Sequence, residues 1–172
     1  MLLRKLQAMK AKKGFTLVEL IVVIAIIAVL AAILIPILLN YLTSSRVSTA
    51  DSNAKNVHSI VAAAITEMEG RGDALPAAGT AEFTKGVATA VWASTYANVV
   101  PVVAALNRDF PNVDGSAQVL LDAAGTPVSV VWLPNTNAAN FAGITPSAAG
   151  VTGPARTRTA MYGCFPSHIL AP

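Results

Sequence analysis

Hydrophobic and polar positions divide the chain into three stretches. Residues 20–39 are apolar without exception, and Pro36 lies among them. As a helix, these 20 residues rise about 30 Å, the thickness of a bilayer's hydrocarbon core. The pattern then changes. Val47, Ala50, Ala54, Val57, Val61, Ala64 and Met68 recur at alternating spacings of three and four. That spacing predicts one apolar stripe of an amphipathic helix. Ile60 and Ile65 widen it, while Ser48, Asp51, Asn53, Lys55 and Glu67 fall largely off it. Gly70 and Gly72 supply a stop. A helix over residues 15–69 is predicted, about 80 Å long if continuous. The stripe covers only three heptads and its knobs are mostly Ala and Val. Packing under a sheet is therefore expected in preference to a coiled coil.

Beyond residue 70 the periodicity weakens. Residues 70–86 are rich in Gly, Ala and Pro and read as loop. Residues 87–106 are apolar without a clean period, and Pro101 breaks any single helix there, so a short element is expected on each side. Residues 111–115 read as a turn. Residues 118–122 and 128–133 then form the clearest strand pair, joined by the turn Ala123-Ala124-Gly125-Thr126, with Val128, Val130, Val131 and Trp132 favouring strand. Residues 134–154 read as a long loop, and residues 156–165 as a returning last strand. The expected class is α+β.

Composition changes the picture mainly through charge. Hydrophobic residues make up 54% of the 172 and charged residues 12%, so much apolar surface must face lipid or other subunits. The net charge of +3 is unevenly placed. Arg4, Lys5, Lys10, Lys12 and Lys13 are five of the twelve basic residues, and no acid precedes Gly14. The remainder carries seven basic residues against nine acidic ones, which removes the case for a nucleic-acid partner. The five leader cations place the N-terminus on the cytoplasmic side and the head outside the inner membrane. A lone Cys164 rules out an intrachain disulfide.

Candidate chemistry is sparse. Cys164 and His168 are close in sequence, but no orienting acid motif accompanies them, and Cys164 reads as a small buried hydrophobe. His58, beside the stripe, has no second metal-binding group at helical spacing and reads as a rim histidine. Asp109, Asp114 and Asp122 match no calcium loop. Trp92, Tyr96 and Trp132 read as core. No catalytic residue, metal site or cofactor is expected. The residue that needs a reason is Glu19. It is the one charged residue in residues 15–39, and an acid inside a membrane-spanning helix costs about 2.5–3.5 kcal/mol at the centre and less near an end.

Lys13-Gly14-Phe15-Thr16-Leu17-x-Glu19, followed at once by the apolar helix, resembles the N-terminus of type IV pilins and of the related pseudopilins of type II secretion. Pro36 and Tyr41 fall where many pilins carry Pro and Tyr. Ala28 and Leu38 depart from the pattern, where many relatives have Gly and Tyr. The resemblance covers residues 10–45 and identifies a class III prepilin-type signal. It implies a long N-terminal helix whose second half packs on an antiparallel sheet. It also implies a leader at residues 1–14, an assembly segment at 15–39 and an extracytoplasmic head at 40–172. Cleavage would fall between Gly14 and Phe15 by a prepilin peptidase, which also N-methylates Phe15. Glu19 would meet the terminal ammonium of a neighbouring subunit during assembly. Pro36 would mark a helix break, which Ala28 opposes because Ala favours helix over Gly by about 0.8–1.0 kcal/mol.

The expected function is that of a structural subunit of a pilus-like filament and not of an enzyme. Its partners would be other pilin subunits, the peptidase, an inner-membrane assembly platform and, before assembly, lipid. The precursor would sit in the inner membrane and the filament at the cell surface. A pseudopilin is the alternative within the family. A single-pass anchored binding domain that never polymerises is the alternative outside it. A secretory signal peptide fits less well, because Ala31-Ala32 has no polar region before it and residues 33–39 continue apolar.

Overall fold

A computed structural model describes residues 15–85, 92–134, 141, 143–156 and 161–166, together with the backbone of 168–170. The chain opens with helix α1 (Leu17–Arg71), 55 residues long. Its end is set by sequence. Gly72 adopts a positive φ of 75°, its amide donates to the Glu69 carbonyl at 3.0 Å, and the Asp73 amide donates to the Met68 carbonyl at 3.0 Å. This pair of bonds satisfies two carbonyls that a helix terminus leaves free, and glycine takes that φ without steric cost.

Contacts divide the chain between Leu42 and Thr43. In the first part, the large apolar side chains from Leu20 to Leu38 are exposed by 49–63%, so none is buried within its own chain. Pro36 lies inside α1, and the helix has no break there. This corrects the expected break at Pro36 for the free chain. Proline removes a single amide donor, and the apolar helix formers on both sides keep their own bonds.

In the second part, Ala50, Ala54, Val57, Val61, Ala64, Ile65 and Met68 of α1 are buried, which is the stripe read from the sequence from Ala50 onward. They pack with Ala81, Phe83, Ala117, Val119, Leu121, Val130 and Trp132 in one core. Full burial of a Val, Ile or Met side chain contributes about 1.5–3 kcal/mol, so this stripe is the main hold of the helix on the head.

The sheet under α1 has five strands: β1 (Gly79–Lys85), β2 (Trp92–Ala93), β3 (Gly115–Leu121), β4 (Pro127–Leu133) and, late in the chain, β7 (Gly163–Phe165). Their order is β2-β1-β3-β4-β7 and every pair is antiparallel. The fold is thus α+β, a long N-terminal helix followed by an antiparallel sheet. The β3–β4 hairpin matches the expected pair, with β3 starting three residues earlier and ending one earlier, and β4 starting one residue earlier. Its turn is held by Asp122, whose carboxylate accepts from the amides of Ala124 and Thr126 at 2.9 Å each and from the Thr126 hydroxyl at 2.6 Å.

Two expectations need correction, and a third is met. Residues 79–85, read as loop, are β1: Ala81, Phe83 and Lys85 point inward while Thr80, Glu82 and Thr84 alternate outward. The inward Lys85 hid the period. Its ammonium is buried, donating to the Pro111 carbonyl and pairing with Asp114 at 3.0 Å. Around Pro101 the expectation of a short element on each side is met, with strand β2 before it and a helix opening at it. Helix α2 (Val100–Asp109) carries Pro101 in its first turn, where the missing amide costs nothing. Residues 134–154, read as loop, contain β5 (Thr145–Ser147) and β6 (Gly150–Gly153). These form a second sheet, β5-β6-β8, in which β8 (His168–Leu170) runs parallel to β6. A second core of Val131, Leu133, Phe141, Ile144, Val151, Tyr162 and Cys164 is formed around residues of both sheets.

Candidate assembly site

The start of α1 is built by a local exchange of hydrogen bonds. The Thr16 amide and the Thr16 hydroxyl both donate to Oε2 of Glu19, each at 2.8 Å, and the Glu19 amide donates to the Thr16 hydroxyl oxygen at 3.2 Å. Thr16 and Glu19 form a capping box, which satisfies helix-start amides that have no partner within the helix. Negative charge at this position is also favoured by the helix dipole. Sequence reasoning treated Glu19 as a charge in search of a partner and missed Thr16. The signal was present, since a Thr three residues before a Glu at the head of an apolar run is a helix-start signature.

The cap uses one carboxylate oxygen. Among the described residues, no partner is seen for Oε1 of Glu19. Phe15 is 86% exposed. Gly14, the expected cleavage position, lies outside the described residues.

A second cluster joins α1 to the late part of the chain. Oδ1 of Asp51 pairs with the Arg156 guanidinium and accepts from the Cys164 amide at 2.8 Å. Gly163 rests directly on the helix backbone: a Cβ there would fall onto the Ala50 carbonyl. His58, the expected rim histidine, lies about two helical turns further along α1. Its Nε2 is 2.9 Å from the Pro127 carbonyl oxygen and its ring is 4.5 Å from that of Phe165.

Cys164 is buried, and burial first of all pushes its thiol up to about 12, with Arg156 opposing and Asp51 adding to the shift. A thiol so placed is a poor nucleophile at neutral pH. The side chain of His168 lies outside the described residues. Asp109, Asp114 and Asp122 are engaged respectively by Arg108 at 2.8 Å, Lys85 at 3.0 Å and their own turn. Trp92 and Trp132 are buried in the core, with ring centroids 5.7 Å apart, and Tyr96 packs against it.

α1 is long and apolar enough to cross a membrane. No curated protein and no solved structure matches the chain. One family model does, the prokaryotic N-terminal methylation motif, over residues 9–35. In general that motif implies processing by a prepilin peptidase and oligomerisation of pilin subunits, and its family is structural, not enzymatic. With the apolar helix it points to membrane anchoring. Residues 9–35 therefore carry the class III signal of type IV pilins, at the head of a chain with a long helix and an antiparallel sheet.

Proposed function

We propose that this chain is the precursor of a type IV pilus-like filament subunit, cleaved after Gly14, N-methylated at Phe15 and polymerised through the apolar half of α1. The observation that carries this reading is the methylation motif lying over a helix whose large apolar side chains have no partner in their own chain. Lipid covers such a surface before assembly, and neighbouring helices cover it afterwards.

The capping box supports the same reading. Cleavage after Gly14 leaves the Phe15–Thr16 peptide whole, so the Thr16 amide still caps the helix. The new terminal ammonium appears four residues from Glu19, about 6 Å along the helix axis. A secondary amine there stays cationic near neutral pH. The spare oxygen of Glu19 can then accept from the ammonium of a neighbouring copy, in a medium of low dielectric where such a pair is strong. Glu19 thus has two roles, a cap within its chain and an acceptor between chains.

Intact-mass measurement on membrane fractions tests the processing step. The chain is expected to have lost residues 1–14 and gained one methyl group, and Gly14→Asp is expected to leave it full length. Retention of Met1 in the unmodified chain would favour a plain membrane anchor. Glu19→Val tests assembly. It is expected to insert in the membrane at least as well as the parent, because a desolvation cost disappears. Filaments sheared from cells should fall sharply, since an ammonium left buried and unpaired costs about 3–5 kcal/mol per contact. Undiminished filament yield in Glu19→Val would refute the inter-subunit role.

A further inference from the structure

Most described charges of the head are engaged. Asp51 pairs with Arg156, Glu67 and Asp73 pair with Arg71, and Gln118 donates to Glu82 at 2.6 Å. Arg46, Lys55 and Glu69 are different. Among the described residues their side chains make neither an ion pair nor a hydrogen bond, and all three are exposed on α1.

Helical geometry sorts these three. Lys55 and Glu69 are 14 residues apart, which places them about 40° apart around the helix and about 21 Å apart along it. Both lie away from the buried stripe. At that separation they cannot pair within one chain. Arg46 precedes Lys55 by nine residues, about half a turn away around the axis, so it faces another side. Between Lys55 and Glu69 the exposed positions include Ser59, Ala63 and Thr66. The Ser59 hydroxyl donates to the Lys55 carbonyl at 3.0 Å, and the Thr66 hydroxyl to the Ala62 carbonyl at 2.9 Å. A neighbour can cover these hydroxyls without leaving a donor unpaired.

We infer that this face of α1 binds a second copy of the chain, parallel and offset by about 21 Å along the helix, with Lys55 of one copy paired to Glu69 of the other. Opposite charges that match only after an axial offset make a heterologous contact. Such a contact repeats without closing, as a filament requires. The inference rests on the filament reading above and specifies the face and stagger the copies use.

The test uses the full-length chain expressed in cells, with sheared filament and membrane-inserted monomer measured side by side. Lys55→Glu and Glu69→Lys are each expected to lower filament yield about fivefold or more, as loss of an ion pair plus like-charge contact demands. The monomer should be unchanged. The double variant Lys55→Glu/Glu69→Lys should return to within about twofold of the parent, because two coupled residues do not add. Arg46→Glu changes net charge as much as Lys55→Glu does and should leave the yield near the parent's. The inference is overturned if either reversal leaves yield intact, if the double variant is not rescued, or if Arg46→Glu matches Lys55→Glu. Absence of filament from the parent chain, seen before any variant is compared, defeats the filament reading and this inference with it.

Discussion

Residues 20–39 and residues 50–68 lie in one helix and are both rich in Val, Ile and Ala, yet they meet different surroundings. In the second stretch the apolar residues form a stripe, and the head buries it: Ala54, Val57 and Val61 have no exposed surface. In the first stretch the apolar residues surround the helix on every side, and none of the large ones is buried. A one-sided helix finds its cover within its own chain. An all-round apolar helix has too much surface for any one neighbour and must be covered from outside. The stability of the head is therefore a property of the chain, whereas that of the N-terminal stretch depends on lipid or on other copies.

The largest expected effect breaks the head alone. Gly163→Val forces a side chain onto the Ala50 carbonyl. Strand β7 or α1 must move, and a cost of about 3 kcal/mol or more is expected, at the level of severe overpacking. Thermal unfolding of the detergent-solubilised chain should show the head transition lowered or lost. Insertion of residues 20–39 into membranes should persist. Loss of insertion as well would show that the two stretches are not independent.

Asp51→Ala should have a smaller effect on the same side of the comparison. It leaves the Cys164 amide and the half-buried Arg156 without their acceptor. A loss of about 1–3 kcal/mol of head stability is expected, readable as a lowered denaturant midpoint. Thr16→Ala should have the smallest effect, and on the other side. Removal of the cap is expected to cost about 1 kcal/mol at the helix start. Hydrogen exchange should quicken at the first amides of α1, with the head melting temperature unmoved.

These contrasts also explain what the residues disclosed in advance. The stripe from Ala50 to Met68 was legible because a spacing of three and four admits one face, and the β3–β4 hairpin because Val128, Val130, Val131 and Trp132 are strong strand formers. β1 was not legible because its alternation includes a buried lysine whose partners, Pro111 and Asp114, are remote in sequence. β5 and β6 are three and four residues long, too short for a period to register. Pro101 was legible as a boundary between short elements, since proline breaks a helix interior but suits its first turn. At the candidate site, Glu19 was legible as an anomaly. Its partner Thr16 is neutral and local, so it does not stand out as a countercharge would.

The closing strands alternate between layers: β6 lies in the smaller sheet, β7 returns to the edge of the larger, and β8 goes back beside β6. The bond from Cys164 to Asp51 spans 113 positions of sequence. A chain synthesised from its N-terminus presents α1 long before these strands exist. The larger sheet acquires its last strand only with Gly163–Phe165 and the smaller only with His168–Leu170, so the fold completes itself only once residue 170 is available. A chain stopped at residue 162 has all of α1 and leaves both layers unfinished.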